Sequence, residues 1–310
     1  MKKPLKKLDF DKILKLLHEY DTESIYEKVN IIPESKELYS KISSYIDTKS
    51  FRNRSVLGID IYRYGMFKHL EQTLIPAIFK IFFEKTIRLC LESNQYVFQN
   101  YSKERLEKAF ISTGDGGFLI LDTPLHAVFF AINFEVVVRS YNSFHLFPRL
   151  RKIIGSISLR YAITYDTLFH FDNNYYGSAI INNSRILSKD NLNRCLLDES
   201  SYNWFLTNID GIENLQVYTI DDIANIYDFQ NYDCDPIEHG VNEIISKECT
   251  RLSGIINSDI SKIGEIQAKE AGLKIYNLHL QVSLKIHSDV SDAHVRLITI
   301  SLGNLNTSGI

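Results

Sequence analysis

At 310 residues, 45% hydrophobic and 24% charged, the chain has the composition of a folded protein that can bury a sizeable core. A net charge of −3 excludes the basic field of a protein that coats nucleic acid, and the one concentrated basic run, KKPLKK at the start, reads as a solubilising tail. Four dispersed cysteines with no C-x-x-C pair, no signal-peptide pattern and no apolar run near about 20 residues give the expectation of a reducing cytoplasm and no membrane partner.

In chain order, residues 1–50 place Phe10, Ile13, Leu14, Leu16 and Leu17 at near-helical spacing and stop around Pro33, which predicts a helical lead-in that packs on something else. From Ser55 the stretch SVLGIDIY reads as a short apolar strand, and Gly65 opens a helical stretch to about Leu91. A hairpin around Asp115 follows. PLHAVFFAINFEVVVRSYN then predicts a helix with Pro124 in its first turn. SISLRYAITYDTLFHF alternates, with Tyr161 and Ile163 on one side and Arg160, Thr164 and Asp166 on the other, so it predicts a long half-exposed strand. NNYYG reads as a turn, and SAIINNSRILS as a helix that runs past Arg185.

This order predicts an α+β sandwich of the ferredoxin-like plan, an antiparallel-rich sheet with helices on one face. In the tail, LHLQVSLKI alternates cleanly and HVRLITISL follows SDVSDA, which predicts a terminal β-hairpin or part of a small β-rich appendage. The divisions expected are an N-terminal extension to residue 50, a central domain over 51–240 and an appendage over 241–310.

The chemistry is concentrated in FISTGDGGFLIL, where Asp115 stands among glycines between two apolar runs. A carboxylate on a side-chain-poor turn leaves room for a polyphosphate and hard cations to reach the backbone. The same turn also serves simply to reverse a chain. A second carboxylate, Asp60 in VLGIDIYRYG, stands at a strand end before a helix whose N-terminal N–H groups suit phosphate oxygens. Two acids, two magnesium-like ions and a helix N-terminus suit attack on a nucleotide phosphorus. DCDPIEHG, with Cys234 and His239, offers too few ligands for structural zinc and reads as a polar turn.

Over about residues 52–210, the run GIDIYRYG, ISTGDGGFLI and NNYYGSAIINNSRIL resembles the catalytic domain of class III nucleotidyl cyclases, the adenylate and guanylate cyclase family. The resemblance implies a class III cyclase sandwich in which Asp60 and Asp115, helped by the Ile61 carbonyl, bind two divalent cations, manganese or magnesium. It implies that Arg185, eight residues after Gly177, steadies the transition state at the α-phosphate, a task that suits a planar, permanently charged fork. It also implies a head-to-tail homodimer in which one chain supplies the metals and the other supplies Arg185 and the base contacts.

The departures from the family pattern point to the base. Purine cyclases carry a base-reading lysine where this chain has Ile111 and an acid where it has Asn174, so purine readout of the usual kind is lost. With metal aspartates kept and purine readers replaced, the chain resembles the pyrimidine cyclases of the bacterial antiphage system Pycsar. That resemblance implies UTP as substrate, with CTP as the alternative, and a cyclic nucleotide that activates a separate effector. The family's transition-state asparagine position holds Ile181, with Asn182 and Asn183 following, and the 55-residue spacing from Asp60 to Asp115 implies an added helix or extended hairpin over residues 88–108. A catalytically degenerate nucleotide-binding module is the reading from another class, and a diguanylate-cyclase relative lacks its second turn acid here.

Overall fold

A computed structural model describes residues 10–20, 36–45, 51–95, 97–171, 174–208, 254–267, 272–286 and 296–310. KKPLKK, DCDPIEHG and the boundary drawn at residue 240 lie outside the described residues. Helices α1 (Phe10–Tyr20) and α2 (Lys36–Tyr45) lie within the first fifty residues, and Leu16 is buried while Leu14 and Leu17 remain exposed.

The body of the fold is one sheet of mixed α+β architecture. Its strands are β1 (Arg52–Ile61), β2 (Phe110–Ser112), β3 (Gly116–Leu121), β4 (Leu159–Phe171), β5 (Asn174–Tyr176), β6 (Cys195–Asp198), β7 (Gly254–Gln267), β8 (Gly272–Ile286) and β9 (Arg296–Leu302). They run in the order β2-β3-β1-β4-β6-β8-β7, with β5 on β4 and β9 on β8. All pairings are antiparallel except β4 with β6. The tail strands β8 and β9 pair as the alternation predicts, and β8 also pairs with β6, so they continue the main sheet. β7 is a strand that the sequence pattern did not single out.

The helices of the body are α3 (His69–Ser93), α4 (Lys103–Lys108), α5 (Pro124–Asn142), α6 (Pro148–Ile154), α7 (Ser178–Lys189) and α8 (Glu199–Asn208). α5 is apolar nearly all round because it is buried nearly all round: thirteen of its residues, from Pro124 to Tyr141, are buried. With α3 it packs on the face of the sheet that carries Leu57, Ile59 and Tyr161, whose hydroxyl donates to Glu135 on α5 at 2.9 Å.

The expectation of helices on one face is corrected by α7, which covers the other. Gly58 and Ala162 make its floor: a Cβ on Gly58 would overlap the Asn183 side-chain oxygen, and Ala162 packs with Ile186 and Leu187. Ala162, Ile163 and Thr164 are therefore all buried, so the first half of β4 is covered on both faces where alternation suggested one. NNYYG is corrected too. Asn174–Tyr176 pair with Phe171–Phe169 as a strand, with Tyr175 on His170 and Tyr176 stacked on Phe169.

The helix expected from Gly65 begins at His69, after a 3-10 turn over Tyr64–Met66. Pro76 lies inside α3 and has no N–H to give the Gln72 carbonyl; the Tyr64 hydroxyl donates to that carbonyl instead, at 3.1 Å. This ties the loop after Asp60 to the helix. The segment expected to lengthen the gap before Asp115 is the C-terminal end of α3 together with α4.

Candidate functional site

Asp60 and Asp115 meet because β1 and β3 pair in a register that sets Asp60 opposite Gly116, with Arg160 of β4 opposite on its other side. The Ile61 N–H donates to the Asp115 carbonyl at 3.2 Å, which closes the hairpin end against β1. Gly116 is required there, since a Cβ would strike the Ile59 carbonyl and the Asp60 backbone. Gly114 turns the chain at φ +107° with open space around it, a conformation that a side chain would strain. Thr113 N–H donates to the Gly116 carbonyl at 3.0 Å and completes the turn.

Both carboxylates are partly buried. Burial lifts the Asp60 carboxyl above its ordinary value; Arg160 opposes the lift by charge and by a hydrogen bond, and the Asp115 charge adds to it. Arg160 donates from Nε to Asp60 Oδ2 and from Nη1 to the Asp190 carbonyl. Sequence alternation had set Arg160 on the half-exposed side of its strand with no role. Its signal was charge complementarity with Asp60, legible only once the β1–β4 register is known.

The expected phosphate-facing helix N-terminus is less open than the sequence suggests. Glu71 in the first turn of α3 accepts from the Lys68 N–H at 2.9 Å, so a carboxylate already occupies that end. The 3-10 turn nearer Asp60 has opening N–H groups that find no partner within the turn itself.

The other predicted residues are spread over three elements, and of them Arg185 and Asn182 are in contact. Ile111 on β2 stands opposite Phe118. Asn174 opens β5 opposite Phe171 and is exposed, with its Oδ1 accepting from the Tyr175 N–H at 2.9 Å. On α7, Arg185 donates to Asn182 Oδ1 at 3.2 Å and both are half-buried. Asn183 turns the opposite way: its amide donates to the Val56 and Ala162 carbonyls and to Thr164 Oγ1 at 2.8, 2.9 and 3.2 Å. Asn183 is thereby committed to seating the helix, Ile181 is 53% exposed, and Asn182 is the amide beside Arg185.

Asp60 and Asn174 stand at opposite ends of β4. Their partners on that strand, Arg160 and Phe171, are eleven residues apart, about 36 Å at about 3.3 Å per residue. One chain does not bring them to a common point.

No family model matches the chain, and no curated protein matches it. Solved structures do. The chain is similar to an adenylate/guanylate cyclase/hydrolase from Silicibacter pomeroyi, at 12% identity and TM-score 0.41 over 74% of this chain and 96% of that one. It is similar to an adenylyl cyclase from P. aeruginosa, at 12% identity and TM-score 0.37 over 74% and 94%. The catalytic core of a rhodopsin-guanylyl cyclase aligns at 10% identity and TM-score 0.39 over 74% and 94%. At these scores the functional reading rests on the residues of this chain.

Among the described residues no three or more His, Cys, Asp or Glu side chains gather around one point, and no helix is long and apolar enough to cross a membrane. Asp60, Asp115 and the Ile61 carbonyl make an all-oxygen donor set, the kind that holds hard divalent cations when waters and phosphate oxygens complete the shell. The repulsion that Asp115 exerts on Asp60 is what a bound cation would relieve.

Proposed function

We propose that the chain is a divalent-cation-dependent nucleotidyl cyclase that converts UTP to 3′,5′-cyclic UMP and pyrophosphate. The observation that carries this is the register placing Asp60 and Asp115 together on a turn cleared of side chains by Gly114 and Gly116. In the reaction the ribose 3′-oxygen forms a bond to the α-phosphorus, the bond from that phosphorus to the bridging oxygen breaks, and the hydroxyl proton passes to solvent. Asp60, Asp115 and the Ile61 carbonyl would hold two manganese or magnesium ions, which when bound supply the charge that acidifies the hydroxyl and neutralises the triphosphate.

The residues of the chain do the positioning. Arg160 fixes the carboxylate of Asp60 and adds positive charge at the phosphate end. Arg185, with Asn182 beside it, stabilises charge on the α-phosphate. The long separation along β4 keeps Asn174 of one chain away from its own Asp60, which supports the head-to-tail homodimer that the sequence resemblance implies, in which each site takes Asp60 and Asp115 from one chain and Ile111, Asn174, Asn182 and Arg185 from the other.

Uracil is favoured over cytosine by the state of Asn174. With its oxygen accepting from the Tyr175 N–H, the exposed amide keeps both N–H donors, which suit the uracil 4-carbonyl; the 4-amino group of cytosine wants an acceptor. Ile111 offers a purine no hydrogen bond. In the setting that the sequence resemblance suggests, cyclic UMP is the signal of an antiphage system read by a separate effector. A second reading, a nucleotide-binding module without turnover, is favoured by Ile181 standing where the transition-state asparagine is expected. Incubation with manganese and each of UTP, CTP, ATP and GTP, with products resolved by mass spectrometry, separates these. Cyclic UMP is expected, reduced about 10³-fold in Asp115→Asn. Cyclic CMP or a purine product would refute the base assignment, and binding of UTP without product would establish the module.

A further inference from the structure

The turn from Asp190 to Arg194, after α7, is bonded to the candidate site on one side and to the C-terminal residues on the other. On the site side, the Tyr62 hydroxyl donates to the Asn191 carbonyl at 3.2 Å, and Arg160 donates to the Asp190 carbonyl. The Tyr161 N–H, next to Arg160, donates to the Arg194 carbonyl at 2.8 Å. On the other side, the Asn304 amide donates to the carbonyl and the side-chain oxygen of Asn193 at 2.9 and 3.0 Å. Arg194 Nη1 donates to the Ser308 carbonyl at 2.6 Å and to the Asn306 carbonyl at 3.2 Å. Gly303, at φ +72°, aims this tail across β6: a side chain there would strike the Leu278 carbonyl and Cys195.

Arg194 is the centre of the arrangement. It is 1% exposed, and its Nε and Nη2 hold Asp190 Oδ1 at 2.9 and 2.7 Å. Asp190 Oδ2 is buried without a partner, so this pair is already short of hydrogen bonds. A buried guanidinium is held only where its fork of donors is satisfied, and the tail carbonyls supply two of its contacts. Without them Arg194 must seek water, and the turn that grips Arg160 moves with it.

We propose that residues 303–310 form a strap that positions Arg160 on Asp60, with Arg194 as the positioning residue through which the strap acts. The proposal rests on the reading of Asp60 as a metal ligand. It makes the C-terminal end of the chain part of the support of the site, although none of its residues touches substrate.

The test removes Asn306–Ile310 from the full chain and follows two quantities. Amide exchange over residues 158–162 and 190–194 should quicken about tenfold, and the manganese concentration for half-maximal turnover should rise about tenfold while the UTP KM at saturating manganese holds. The rise in manganese requirement with an unchanged KM is what loosened packing alone would not produce. Arg194→Lys should fall between, because an ammonium reaches Asp190 or the tail but not both in the geometry of the fork. Unchanged exchange together with an unchanged manganese requirement would overturn the strap. Should the shortened chain fail to fold, Asn304→Ala, which frees the tail from Asn193 and leaves Arg194 in place, carries the same two measurements. A native chain with no manganese-dependent turnover would instead refute the cyclase reading, and exchange alone would then decide whether the strap orders residues 158–162.

Discussion

The two ends of β4 are built in opposite ways. Around Arg160 the strand lies between β1 and β6, and its side chains are tied down: Arg160 to Asp60 and the Asp190 carbonyl, Tyr161 to Glu135. Around Phe171 it has outrun β1, whose pairing ends at Leu168; among the described residues it pairs there with the three residues of β5, and Phe51 stacks on Phe169 at 5.8 Å. There Phe169 and Tyr176, stacked at 5.6 Å, remain 40% and 42% exposed. A two-stranded ribbon is marginal by itself. The Asp60 end is thus ordered within one chain, and in the dimer proposed above the Asn174 end would gain its remaining order from a second chain.

Three changes break or sharpen this contrast, from the largest expected effect to the smallest. Phe169→Asp puts a charge into the exposed stack and should raise the dimer dissociation constant at least about tenfold, with cyclase activity falling in step when protein is diluted. Sedimentation at several concentrations measures the first and product formation the second; a stable dimer would show that the ribbon is not an interface.

Glu135→Gln probes the ordered end. Burial pushes the Glu135 carboxyl up to about 7 even though the Tyr161 hydroxyl donates to it and Arg139 opposes the lift. A folded-state value above the unfolded one, near 4.5, means that the protonated acid is favoured by folding, so its contribution is fully present below about 4.5 and lost as pH rises through about 7. Urea unfolding at pH 8 should therefore find Glu135→Gln more stable than the native chain by roughly 3 kcal/mol, with the advantage gone at pH 4. An advantage independent of pH would contradict the assignment. Gly58→Ala, which drives a methyl against Asn183 and Leu187, should cost about 1–3 kcal/mol in the same assay.

The sequence made the Asp60 strand, the Asp115 hairpin and α5 legible because each is local: a short apolar run, a glycine turn, a helix opened by Pro124. It was silent where meaning depends on register or on a distant cover. Arg160 looked like a solvent-facing strand residue until β1 stood beside β4. Thr164 looked exposed until α7 covered it, and that cover depends on one absent side chain, at Gly58. The two amides after Ile181 were equivalent in sequence; only the orientation of α7 sends Asn183 inward and leaves Asn182 next to Arg185. The tail strands were visible by alternation, whereas the contact of Asn306 and Ser308 with Arg194 joins positions more than a hundred residues apart and leaves no local mark.

The most direct test of the two-chain site mixes two variants that are each inactive. Asp115→Asn removes the metal half and Arg185→Ala the other half, so a mixed dimer holds one site with both halves intact. Exchange of subunits in an equal mixture should restore cyclic UMP formation to about a quarter of the native rate, because half of the dimers are mixed and each has one working site. A mixture that stays as inactive as its components would show that each chain builds its site alone.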